Sequence, residues 1–311
     1  MRTWQQAWAD ALYGEGGFYR RPEGPAGHFA TSAHGSAGDL LAQALLHLAE
    51  REGSRQVIDI GCGRGELLTA LARHAPTDLA LLGVDVVDRP AGLDPRIDWL
   101  RSPGGPHLPD LGRPTDALVI AHEWLDVVPC GIARADDEGV LRTVCVDDAG
   151  EEVLGDPLPS PDAVWVDRWW PGPHEPGADV EVGRARDEAF AGLVGLIGSG
   201  LVLAIDYGHT ADRRPEGGTL VGYREGSACP PRPDGSTDLT AHVAMDSLAA
   251  DMLTTQRDAL RGLGVDGTRP PLDLASTDPA GYLAALSRAS HAGALTGPGP
   301  GDFLWAIRRV A

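Results

Sequence analysis

The sequence predicts an α/β protein in which a mainly parallel sheet is covered by helices on both faces. Two observations lead there. From about residue 36 onward, short apolar runs alternate with segments of helical periodicity, the order that crossovers between parallel strands produce. The first apolar run, QVIDI, leads into GCGRG and then the leucine-rich ELLTAL, a strand, tight loop and helix in succession.

Residues 13–36, YGEGGFYRRPEGPAGHFATSAHGS, are rich in Gly, aromatic and polar residues, and the N-terminal region 1–36 reads as an ordered arm lying over the ligand site. A helix is expected from about Ser36 to Glu52, with Leu41, Leu45 and Leu48 on one face and Gly53 as its stop. QVIDI (56–60) is a buried strand, and GELLTALARHA (65–75) is a helix turning Leu67 and Leu71 inward. LALLGVDV (79–86) is a second strand ending in Asp85, RIDWL (96–100) a third, and DALVIAHEWLD (116–126) holds a fourth.

Residues 131–170 differ. LRTVCVDD and AVWVDRWW, separated by acidic turns, predict a small β insertion packed by Trp165, Trp169 and Trp170. RARDEAFAGLVGLIG (184–198) is a helix leading to the strand LVLAIDYG (201–208). Residues 209–238 are loop-like. STDLTAHVAMDSLAADM (236–252) opens with capping residues and is expected to become helical, and DFLWAIRRVA (302–311) is a strand. Residues 1–311 show no internal repeat and read as one domain.

The hydrophobic content of 42% and charged content of 23% are those of a soluble protein. No apolar run approaches the roughly 20 residues that span a bilayer. The N-terminus lacks an apolar signal core, so a cytoplasmic location without membrane insertion is expected. A formal charge of −19 disfavours nucleic acid and permits a cationic substrate. All 26 basic residues are Arg, which excludes lysine Schiff-base chemistry and a Walker-type lysine. Cys62, Cys130, Cys145 and Cys229 are scattered, with no C-x-x-C pair, and suggest neither a disulfide framework nor a metal site.

Gly61, Gly63 and Gly65 let backbone N–H groups approach a ligand closely. A dinucleotide loop would want glycine at 66, where this chain has Glu66. The pattern is instead acidic-x-G-x-G-x-G, with Asp59 at the strand end, more typical of S-adenosylmethionine sites. A carboxylate there meets the amino-acid end of that ligand. Asp85, followed by Val86, stands at the separation at which a carboxylate grips ribose hydroxyls. The competing reading, a tight turn with no ligand, accounts for the glycines but not for Asp85.

Five blocks occur in order: GHFATS (27–32), the glycine loop, AHEWLDVVP (121–129), IDYG (205–208) and DLTAHV (238–243). Together they resemble the MidA family of S-adenosylmethionine-dependent methyltransferases, whose mitochondrial members methylate protein arginine and act in respiratory complex I assembly. The resemblance implies a class I, Rossmann-like seven-stranded methyltransferase, S-adenosyl-L-methionine as cofactor, and an arginine-bearing protein as substrate. This chain departs from the family pattern at His28, Ala33, His34, His122 and Val127. Methylation of a small molecule, or a catalytically silent cofactor-binding assembly protein, are the rival readings, and a homodimer is compatible with each.

Methyl transfer to a guanidinium needs a carboxylate to hold it and localise its lone pair. Glu123 is the candidate, because it follows the fourth strand on the ligand edge. Asp126, three residues on, would sit beside Glu123 if a turn of helix follows, orienting the substrate or capping that helix. His122 is an acid/base group or a packing residue. Thr31 and Ser32 would bond the cofactor if the arm folds across it, or cap the next helix. Asp206 and Tyr207 end the fifth strand, and His242 is either catalytic or structural.

Overall fold

Seven strands form the central sheet of the computed structural model, which describes residues 1–21 and 35–311. In chain order they are β1 (Gln56–Ile60), β2 (Ala80–Asp85), β3 (Ile97–Arg101), β4 (Ala117–His122), β5 (Gly200–Asp206), β6 (Met252–Thr255) and β7 (Leu304–Val310). Across the sheet they run β3-β2-β1-β4-β5-β7-β6. The pairs from β3 to β5 are parallel, and β7 lies antiparallel to both its neighbours. The order reverses between β1 and β4, which opens a crevice at their carboxyl ends.

Both faces of the sheet are buried, so its strands are apolar throughout rather than alternating. Val57, Leu118 and Ile120 face one core with the helices Gly35–Arg51 and Glu66–His74. Ile58, Ile60 and Val119 face the other, against Phe190 and Leu193 of the helix Arg184–Leu196. Leu41, Leu45 and Leu48 are buried as their spacing predicts, and Gly53, at φ +68°, ends that helix. No helix among the described residues is long and apolar enough to cross a membrane.

A second sheet contains Gly131–Ala135, Leu141–Val146, Glu152–Pro157 and Asp179–Val182, joined at one edge by Arg2–Thr3. The helix Trp4–Tyr13 packs against it, closed at its start by the reciprocal Thr3–Gln6 capping box and burying Trp4, Trp8 and Leu12. It lies within residues 1–36, expected from the sequence as an arm with no helix placed in it.

Three local expectations are corrected. AVWVDRW lies in the helix Ser160–Trp169, not in a strand, with Trp170 capping its end: Pro161 favours a helical first turn, and Trp165, Val166 and the cap residue Trp170 pack into one cluster. Residues 236–252 do not form a helix. Asp238–Thr240 pairs with Val221–Arg224, and Val243–Ala244 pairs with Gly208–His209. Leu239, Thr240, Ala241, Val243 and Met245 are all buried around the exposed His242, too many consecutive buried positions for a helix with one apolar face. Within 209–238, Val221–Arg224 and Ser227–Cys229 form a hairpin whose turn residues, Glu225 and Gly226, both have positive φ.

One buried cation ties these parts together. Arg186, 1% exposed, donates from Nε to the Val128 carbonyl (3.0 Å), from Nη1 to that of His242 (2.8 Å) and from Nη2 to that of Asp126 (2.7 Å). Its guanidinium carbon lies 5.5 Å from the centre of the Trp8 ring. Arg186→Met removes the buried cation and takes the side-chain donor from the Val128 and His242 carbonyls, while the Asp126 carbonyl keeps only the Ala241 N–H (3.3 Å). Urea unfolding is expected to show a loss of about 3–5 kcal/mol.

Candidate active site

A cleft of about 360 Å³ opens at the carboxyl ends of β1, β2 and β4. Its floor is the glycine loop. Gly61, Gly63 and Gly65 have φ of +68°, +61° and +81°, a region that costs other residues strain. A Cβ on Gly61 would stand 3.1 Å from Trp124 Cδ1. The Gly61 N–H donates to the Val84 carbonyl (2.9 Å), and the Gly63 N–H to Asp85 Oδ2 (2.8 Å). Asp85 Oδ1 accepts from Val87 N–H (3.2 Å), so this carboxylate organises both sides of the crevice.

The walls carry Asp59, Glu66, Asp85, Glu123, Asp126 and Asp238 against Arg64 as the arginine among the described lining residues. Burial raises Asp59 well above the usual carboxylate range, with Asp85 adding to the effect, and no donor among the described residues reaches its side chain. Burial also pushes Asp85 up to about 6 and Asp238 up to about 8. His122 is driven down to about 4 by burial, so the imidazole is neutral near pH 7, with Nδ1 3.6 Å from Glu123 Oε1.

The residues expected from the sequence divide clearly. Asp59, Gly61, Gly63, Asp85, Val86, His122, Glu123 and Asp126 line the cleft, while Gly65 sits just behind it as the cap of the helix Glu66–His74. Thr31 and Ser32 lie outside the described residues. No helix follows β4: Glu123 takes a left-handed backbone at φ +54°, and the chain turns. Asp126 therefore reaches the site from that turn, 4% exposed, with Oδ2 accepting from the Tyr207 hydroxyl and from Thr240 Oγ1 (2.7 Å). His242 is exposed and is not among the lining residues. Its ring meets Tyr207 edge-on at 5.3 Å.

The lining also includes residues to which sequence reasoning gave no role. Tyr13 donates to the Val127 carbonyl (3.1 Å), Tyr19 donates to Asp238 Oδ1 (2.7 Å), and their rings stack at 5.5 Å. Tyr223 and Gly226 enter from the hairpin. The clustering of aromatic residues in YGEGGFYR was the available signal for the first two.

The profile of a family described as "Putative S-adenosyl-L-methionine-dependent methyltransferase" matches residues 38–261. The chain belongs to this methyltransferase family. Its cofactor is S-adenosyl-L-methionine. The chain is similar in fold to a Burkholderia thailandensis protein crystallised with S-adenosyl-homocysteine, at 23% identity over 99% of this chain and 87% of that one, TM-score 0.75. A native crystal structure of an uncharacterized protein from the same organism gives 24% identity, the same coverage and a TM-score of 0.74. No curated protein matches. This methyltransferase's cleft suits the cofactor: it offers close backbone approach at three glycines, and no donor among the described residues reaches the Asp59 carboxyl group.

The positive φ of Glu123 is a local backbone cost. Asn tolerates this backbone. Thermal or urea unfolding of Glu123→Asn is expected to show the unliganded methyltransferase more stable by about 1 kcal/mol.

Proposed function

We propose that this methyltransferase methylates a guanidinium nitrogen of an arginine side chain on a protein. The observation that carries the reading is the cleft itself, where six carboxyl groups and four tyrosines leave a planar cation as the best-matched guest. The bound cofactor supplies a sulfonium-activated methyl group. Glu123 holds the guanidinium through two parallel hydrogen bonds and draws its positive charge towards itself, leaving the far nitrogen's lone pair for attack. The neutral His122 packs behind Glu123 and fixes it.

In the same reading Asp59 receives the ammonium end of the cofactor and Asp85 its ribose hydroxyls. Gly61, Gly63 and Gly65 give it room, and Val86 packs beside its base. His242 acts through Tyr207, by holding that ring in place.

Incubation with labelled S-adenosylmethionine and a lysate of the source organism tests this. Label recovered as methylarginine after protein hydrolysis supports it. Label confined to small molecules would make the substrate a metabolite, a reading favoured by the hairpin residues Tyr223 and Gly226 at the cleft. Cofactor binding with no labelled product would leave a silent binding protein. Glu123→Gln is expected to lower turnover at least ~100-fold while calorimetric affinity for S-adenosyl-homocysteine stays within about threefold.

Asp85 gives a pH signature. Below about 6 it is protonated and loses acceptor capacity for the ribose, so affinity for S-adenosyl-homocysteine should weaken as pH falls through that value. Asp85→Asn should bind at least ~10-fold more weakly and lose that dependence. Its stability should move the other way. A folded pKa above the unfolded one means stability falls as pH rises from about 4 to about 6, and the cost persists above that window. Removing the charge should therefore leave the unliganded Tm at pH 7.5 unchanged or higher.

A further inference from the structure

Two carboxyl groups lie together beneath the cleft with one guanidinium near them. Asp206 is fully buried; its Oδ2 accepts from the N–H groups of Leu125 (3.0 Å) and Asp126 (3.3 Å), and its Oδ1 has no partner among the described residues. Asp126 accepts two hydroxyl donors at Oδ2, from Tyr207 and Thr240, and its Oδ1 also has no partner there.

The surrounding groups relieve this charge only in part. Arg186 is the nearby cation, already engaged with three carbonyls. Glu123 faces Asp206, and Asp238 faces Asp126. Tyr13 and Tyr19 are neutral phenols, and burial lowers the pKa of His242, which favours its neutral form. Two ionised carboxylates in this space would repel each other with one cation, Arg186, to offset them both. The hydroxyl donors stabilise charge on Asp126, whereas Asp206 has none, so burial raises Asp206 further.

We propose that Asp206 stays protonated beneath an ionised Asp126, and that Tyr207 and Asp126 form the relay that removes the proton displaced from the methyl acceptor. Tyr207 lines the cleft and already donates to Asp126. As the acceptor's nitrogen or oxygen forms its bond to the methyl carbon, the carbon–sulfur electron pair leaves with sulfur. The acceptor's proton passes to the Tyr207 oxygen, while the Tyr207 proton passes to Asp126 Oδ2. Asp206, protonated throughout, keeps the second negative charge out of the site. The relay rests on methyl transfer and not on arginine as the acceptor.

Infrared difference spectroscopy of the unliganded protein at pH 7.5 tests the resting state without any substrate. Asp206→Asn should remove one protonated-carboxyl band that Asp126→Asn retains; an unchanged band in Asp206→Asn overturns the proposal. Should that variant fail to fold, Tyr207→Phe decides. Asp126 loses one donor, so the pH at which its own acid band appears should rise by about one unit, and an unmoved band overturns the proposal. Tyr207→Phe should also cut labelled-methyl transfer at least ~10-fold with unchanged affinity for S-adenosyl-homocysteine. Full turnover would sink the relay. Tyr207-dependent transfer to a metabolite would keep the relay while ending the arginine reading.

Discussion

The burial of Arg186 is the constraint on which the site depends. A guanidinium out of water needs acceptors in a fixed fork, and here they are three carbonyls from two separate stretches of chain. Val128 and Asp126 belong to the turn after β4, and His242 to the segment after the fifth strand. Fixing those carbonyls fixes the side chains between them, including Asp126 on the cleft wall. The charge matters as much as the geometry, because a buried cation makes buried carboxyl groups nearby tolerable.

Around that anchor, the sheet supplies position and the loops supply chemistry. Parallel strands end together on one edge, and reversal of strand order between β1 and β4 leaves a gap that no crossover helix fills. The Glu123 N–H still donates to the Ile205 carbonyl (2.9 Å), so the β4–β5 ladder continues into the turn. The left-handed backbone at that residue then redirects the chain within a single step. The carboxylate is held by main-chain geometry rather than by a flexible loop.

How much was legible follows from how local each feature is. The core strands, the helix Gly35–Arg51 and the glycine loop carry their own signals: apolar runs, helical spacing, and glycines where φ is positive. The partners of Leu239 and Thr240 lie on a distant hairpin, and nothing within 236–252 announces them. Arg186 was readable in principle. It shares a helical face with Ala189, Phe190 and Leu193, and a basic residue on an apolar face marks a buried ion. Tyr13 and Tyr19 reach the cleft only through tertiary packing, so their role had no periodicity to betray it.

The N-terminal helix gives the molecule a folding order. Trp8 Nε1 donates to the Leu239 carbonyl (3.0 Å) across 231 residues of separation, in the segment that also carries Asp238 and Thr240. Contacts so distant in sequence are slow to form, because the intervening chain must first lose its freedom. The strand before the glycine loop finds its partners within residues 80–122. The wall carrying Asp238 and Thr240 is instead tied down through this long-range contact. Floor and wall thus differ sharply in the loop entropy that their closure costs.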